Sequence, residues 1–213
     1  TMDCVSSHPC LAHPSPASNL SSSLTNLDRN ALLRLITSHG KQKDLPKARK
    51  LHAEILLLKK EVLRSDIYIS NALLSMYAKC GALKKALEVF EQLPVRNVVS
   101  WNALITGYAH QGQNECAFYC LHEMISEGVH PDEVTFVNIL FICSHAGLVE
   151  KGQRYFKAMI TEYGINPNIR HLGCIVDLLG RVGQLNEAVF MLDKFDQPDL
   201  VACNSVLGAS QKL

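Results

Sequence analysis

One recurring pattern constrains the fold of this chain more than any other feature. A small residue opens a stretch in which mostly apolar residues follow three, four and seven positions later. It occurs as Ala48-Leu51-His52-Ile55, Ala86-Val89-Phe90-Leu93 and Ala117-Cys120-Leu121-Met124, then as Gly152-Tyr155-Phe156-Met159 and Ala188-Met191-Leu192-Phe195. The small residues lie 38, 31, 35 and 36 positions apart. A second marker keeps the same intervals. Upstream of each small residue stands an apolar pair: Leu35-Ile36, Leu73-Leu74, Leu104-Ile105, Ile139-Leu140 and Ile175-Val176. Two positions before these pairs are Leu33, Asn71, Asn102, Val137 and Gly173. Two independent markers with one set of spacings define an internal repeat.

Each unit reads as helix–turn–helix, with both helices about ten to fourteen residues long, because the i, i+3, i+4, i+7 spacing is helical and nothing alternates with a period of two. Gly40, Gly81, Gly112, Gly147 and Gly183 fall between the two predicted helices, where a left-handed residue ends a helix. Pro94, Pro131, Pro167 and Pro198 follow the second helices and stop them. One such hairpin cannot bury its apolar face alone, so neighbours must stack, and the expected fold is an all-α solenoid. The spacing divides the chain into units 29–66, 67–97, 98–132, 133–168 and 169–199. Residues 200–213 hold one further helix and read as a truncated sixth repeat that caps the end.

Composition agrees. The chain has 213 residues, 47% of them hydrophobic and 19% charged, which is globular rather than disordered composition. No apolar run approaches the roughly 18 residues of a membrane span. Eight cysteines without a CxxC suit free thiols in a reducing compartment better than a disulfide framework. Residues 1–28 are Ser-rich and have no Lys or Arg. They read either as a disordered tail or as the remnant of an organellar transit peptide.

The segments "NALLSMYAKCGALKKALEVFEQLPVRNVVSWNALITGYAHQGQ" and "DEVTFVNILFICSHAGLVEKGQRYFKAMITEYGINP" resemble the pentatricopeptide repeat family, in its plant type with mixed 31-, 35- and 36-residue repeats. "HLGCIVDLLGRVGQLNEAVFMLDKF" is similar to that type's terminal short repeat, and "PDLVACNSVLGAS" resembles the opening of its E-type C-terminal extension. The tetratricopeptide solenoid, with its uniform period of about 34 and its Trp, Leu-Gly and Tyr signature, fits less well. The resemblance implies a right-handed α-solenoid whose first helices line a face that binds single-stranded RNA, about one base per repeat through two or three side chains.

In that family the fifth and last residues of a repeat meet the base edge. The matching positions are Asn71 with Asn97, and Asn102 with Asp132; the resemblance implies a pyrimidine for the first pair and U for the second. The second residues Tyr68, Val99 and Val134 would sandwich the bases, and an aromatic platform such as Tyr68 adds about 1–3 kcal/mol of stacking. Taken alone, Asn71 and Asn102 read equally well as helix N-caps. Leu33 and Val137 cannot hydrogen-bond a base edge through their side chains. Gly173 with Asp199, and Asn204 in the partial unit, are doubtful readers. The family also implies a mitochondrial or chloroplast role, most often guidance of C-to-U editing, with a deaminase or other editing factor supplied in trans. Self-association through exposed end faces is the remaining partner expectation.

Catalytic and metal readings fail on the residues. The deaminase chemistry needs HxE followed by PCxxC; His52-Ala53-Glu54 matches the first half and no PCxxC follows. Cys116 and Cys120 are one helical turn apart with His122 near, but nothing completes a four-ligand set. Asp177 and Glu187 read as scattered surface acids, and no cofactor is expected. Charge is unevenly spread: residues 29–64 carry a net +7 and residues 65–213 a net −4, inside a total of +1. The basic segment is either a phosphate-binding footprint or a solvated outer face.

Overall fold

The computed structural model describes residues 28–57 and 66–194. These residues form ten α-helices and no strand. The first-row helices are α1 (Arg29–Gln42), α3 (Ile67–Lys79), α5 (Val98–His110), α7 (Glu133–Ala146) and α9 (Ile169–Arg181). The second-row helices are α2 (Leu45–Leu57), α4 (Leu83–Glu91), α6 (Asn114–Ser126), α8 (Val149–Thr161) and α10 (Leu185–Lys194). First-row helices start 38, 31, 35 and 36 residues apart. Among these described residues, no helix is long and apolar enough to cross a membrane.

The two rows begin by different devices. Each first-row helix opens on an Asp or Asn whose side chain accepts from the free N–H groups of the first turn: Asp28, Asp66, Asn97, Asp132 and Asn168. Such a cap is worth about 1 kcal/mol. Asp28 therefore belongs to α1 and not to the tail. By contrast α4, α6 and α8 start without a side-chain cap. They follow directly on the left-handed glycines Gly81, Gly112 and Gly147, so the preceding turn sets their direction.

Gly40 departs from the expected pattern. It lies inside α1, and the turn is made three residues later by Lys43, with φ 53°. A Cβ on Gly40 would stand 3.1 Å from the Cα of Met76. The glycine is used for close approach of α1 to α3, not for the turn.

First-row helices pack side by side in sequence; α2, α4, α6 and α8 each pack on their own first-row partner and on the next one, and α10 packs on α9. The core lies between the rows. Its most buried positions are the repeat markers themselves: Ala48, Ala86, Ala117 and Ala188 are fully buried, as are Ile36, Leu74, Ile105, Leu140 and Val176. Small residues at the first set let the rows approach closely enough for the second set to interdigitate. The arrangement leaves the N-terminal turns of all first-row helices along one edge of the solenoid. Phe195, Pro198 and residues 200–213 lie outside the described residues, as do residues 1–27.

Candidate nucleic-acid interface

The sequence left Asn71 and Asn102 open between capping and contact. The structure separates these roles. Both lie five residues into their helices, beyond capping reach, whereas Asn97 and Asp132 are the caps of α5 and α7. The two kinds of residue then meet across the repeat boundary. Asn71 Nδ2 donates to Asn97 Oδ1 at 3.2 Å, and Asn102 Nδ2 donates to Asp132 Oδ1 at 2.9 Å.

Capping sets the orientation of each pair. Asn97 Oδ1 also accepts from the Ser100 N–H at 3.0 Å, and Asp132 Oδ1 from the Thr135 N–H at 2.9 Å. Asn102 Oδ1 accepts from the Thr135 hydroxyl at 2.7 Å. The pairing and capping bonds of Asn97 and Asp132 all use Oδ1 of the cap. The other polar atom differs between the two sites: an amide Nδ2 on Asn97, a carboxylate Oδ2 on Asp132. One site therefore presents a donor and the other an acceptor.

Asn71 and Asn102 are each only 8% exposed, while Tyr68, Val99 and Val134 are 63%, 54% and 42% exposed. Exposed Tyr68, Val99 and Val134 thus stand above buried polar pairs. Next to them an open groove of about 260 Å³ runs between α3 and α5, lined by Ser75, Lys79, Val99, Asn102, Thr106 and His110, among others. The remaining positions differ. Val137 is buried and Leu33 half-buried. A Cβ on Gly173 would meet nothing within 4 Å, so that position holds neither a reader nor a neighbour filling its place. Asp199 and Asn204 lie outside the described residues.

Sequence reasoning missed a third row. In the last turn of every first-row helix stands an exposed basic residue or histidine: Lys41, Lys79, His110, His145 and Arg181. Each is eight positions beyond the fifth residue of its repeat. That period was legible, but totalling charge over a segment hides it. Arg181 is partly engaged, donating to Asp177 at 2.9 Å.

Asp177 corrects another expectation. It is not a free surface acid: it is half-buried and accepts from the Ser144 hydroxyl of α7 and from Arg181. Burial pushes its carboxyl up, but the bonds from Arg181 and Ser144 outweigh that and hold it below the usual value. Glu187 accepts from Gln153 at 3.2 Å. Of the basic segment, Lys59, Lys60 and Arg64 lie outside the described residues. Arg29 pairs with Asp66 and Lys47 with Asp44, whereas Arg34, Lys41, Lys43, Arg49 and Lys50 are exposed.

Among the described residues, no three His, Cys, Asp or Glu side chains gather as metal ligands. Burial pushes the thiols of Cys120 and Cys143 to about 12 and that of Cys174 to about 11. These cysteines are therefore neutral packing groups at physiological pH. His52, the first member of the HxE match, is bonded through Nδ1 to the Tyr77 hydroxyl at 2.9 Å.

Comparison with known proteins bears on this arrangement. Family models described as "PPR repeat family" and "PPR repeat" match residues 96–145, and residues 68–98 and 134–163. An Arabidopsis thaliana pentatricopeptide repeat-containing protein is 47% identical over 148 residues, 69% of this chain and 23% of the relative. A mitochondrial one from the same plant is 40% identical over 186 residues, 87% of this chain and 40% of the relative. A chloroplastic one is 38% identical over 182 residues, 84% of this chain and 20% of the relative. The chain thus spans less than half the length of these relatives. Among solved structures, pentatricopeptide repeat protein PPR10 in complex with an 18-nt psaJ RNA element superposes with a TM-score of 0.70, at 23% identity, over 90% of this chain and 29% of that one. The PPR domain of Arabidopsis thaliana protein-only RNase P 1, in complex with tRNA, gives 0.63 at 15% identity, over 84% and 96%. At these identities the likeness shows the solenoid fold.

Proposed function

The chain belongs to the pentatricopeptide repeat family, and from that premise we propose that it binds single-stranded RNA base-selectively along its first-row helices. The supporting observation is the set of polar pairs Asn71–Asn97 and Asn102–Asp132 beneath the exposed Tyr68, Val99 and Val134. A base stacked between Tyr68 and Val99 meets the Asn97 amide, whose Nδ2 donates to the carbonyl O2 that both pyrimidines carry. A base between Val99 and Val134 meets Asp132 Oδ2, which accepts from the N3–H of uracil. Cytosine has no proton on N3, so the second site favours U. The last-turn row of Lys41, Lys79, His110, His145 and Arg181 tracks the backbone phosphates.

The two well-formed readers among the described residues specify too little sequence by themselves to select one transcript. The chain's own role is recognition, and chemistry on the RNA falls to a partner. Relatives named mitochondrial and chloroplastic support a role in one of these organelles. C-to-U editing with a deaminase supplied in trans is the processing step that fits the family resemblance. Binding to the four ribohomopolymers at low salt tests the reading. Poly(U) binds more tightly than poly(A), and Asn102→Ala narrows the difference, leaving the pyrimidine preference of the Asn71–Asn97 pair, while the helical melting transition persists. Equal binding of all four polymers, unchanged by the substitution, overturns base reading. No RNA binding at low salt overturns the RNA assignment and leaves a protein-interaction solenoid.

A further inference from the structure

The first repeat has a fifth residue and a last residue like the others, but they are arranged differently. Its fifth residue, Leu33, is apolar. Its last residue, Asp66, caps α3, accepting through Oδ1 from the N–H groups of Tyr68 at 2.8 Å and Ile69 at 3.4 Å. Arg29, the first residue of α1, then takes up both carboxylate oxygens: its Nε donates to Oδ2 at 2.5 Å and its Nη2 to Oδ1 at 3.2 Å. Asn97 and Asp132 keep a polar atom outside their pairing bonds; Asp66 has both oxygens engaged.

The same fork holds the guanidinium over the Tyr68 ring, with its central carbon 4.3 Å from the ring centroid. Tyr68 is 63% exposed, and the Arg29 side chain is 45% exposed. Arg29 comes from the preceding repeat, so it covers the ring face on that side. The opposite face is left for the base read by Asn71 and Asn97 in the proposed binding mode. A planar guanidinium is itself a stacking surface for nucleobases.

We propose that Arg29 is a nucleotide-binding residue, a stacking platform for the base next to the one held at Asn71. Clamped by Asp66 and resting on Tyr68, it extends the stack by one nucleotide without discriminating among bases. The first repeat holds a nucleotide and does not read it. This rests on the RNA-binding reading above, and it adds a residue and a role which that reading does not contain.

The test uses the full chain and a labelled RNA dodecamer of adenines with a central UU, whose two uridines set the register through Asn71–Asn97 and Asn102–Asp132. Fluorescence anisotropy is measured with the adenine on either flank of UU replaced by C, G, U or an abasic site. For the wild type, the abasic site on the Arg29 flank weakens binding about tenfold, the scale of one lost base stack, whereas all four bases there bind within about twofold. Arg29→Lys keeps the charge and removes the planar surface. It weakens binding of the parent RNA about as much, and the abasic site on that flank then costs nothing more. An Arg29→Lys protein that binds like the wild type, or that keeps every abasic penalty, overturns the proposal while leaving RNA binding in place. Failure of the wild type to bind any of these RNAs overturns the RNA reading, and the platform with it.

Discussion

At the residue scale, Asp132 carries two separable roles. Its Oδ1 caps α7 and receives the Asn102 amide, and its Oδ2 is the atom proposed to select uracil. Asp132→Asn preserves an acceptor oxygen for the cap and replaces the second oxygen by a donor amide, which makes the pair a copy of Asn71–Asn97. We expect melting within about 0.5 kcal/mol of the wild type, because Asn and Asp cap equally well, together with a relaxed preference for U over C. A binding comparison of U- and C-containing oligomers reads the second effect, and an unchanged ratio sinks the assignment of Oδ2. The sequence placed polar residues at these positions. It could not tell which of them cap and which pair with a cap, because that depends on which residue of the next helix falls opposite.

At the scale of the helix, the start of α9 depends on a neutral imidazole. His171 is fully buried; its Nδ1 accepts from the Asn168 N–H at 3.1 Å, and its Nε2 donates to the Glu133 carbonyl at 2.9 Å. Both nitrogens are committed, so a second proton on Nδ1 would displace the cap bond. Burial lowers the His171 pKa below its usual 6.5. The folded state therefore binds fewer protons than the unfolded chain below that pH, and the stability contributed is complete above about 6.5 and lost as pH falls further. The melting temperature should drop between pH 7 and pH 5. His171→Thr, which copies the Thr135 capping box of α7, should flatten part of that drop while costing stability at neutral pH. His52, whose pKa is also lowered by burial, supplies the remainder. A pH profile unchanged by the substitution rejects this account.

At the scale of the whole molecule, near-neutral total charge hides an ordered distribution. Neutrality would argue against a nucleic-acid partner if charge acted only in bulk. Stacking instead lines up one basic or histidine side chain per repeat, in register with the polar pairs. Neutralising two of them, in Lys41→Ala/Lys79→Ala, should lower the slope of log affinity against log salt by about 1.4, the value for two single-strand phosphate contacts. Both lysines are exposed, so the fold should survive. An unchanged slope would place the phosphates elsewhere. The solenoid also orders the described part of the basic segment: Arg29 and Lys47 are spent on ion pairs, and the exposed Arg34, Lys41, Lys43, Arg49 and Lys50 face solvent.

The sequence alone determined that this chain is a stack of helical hairpins with two rows and a core between them. Its markers are small and apolar residues whose burial follows from period, and period survives any detail of packing. Tertiary contact decided what period cannot express. Gly40 looked like a turn residue, yet Met76 of the next repeat needs the space above it, and the turn moved to Lys43. Asp177 looked solvated until Ser144 of the preceding first-row helix met it. Asn71 and Asn102 became floor residues because the caps of the following helices fall within hydrogen-bond reach. Each of these outcomes depends on a partner 26 to 36 residues away, whose distance along the chain the repeat predicts but whose atoms only the stacked helices bring into contact.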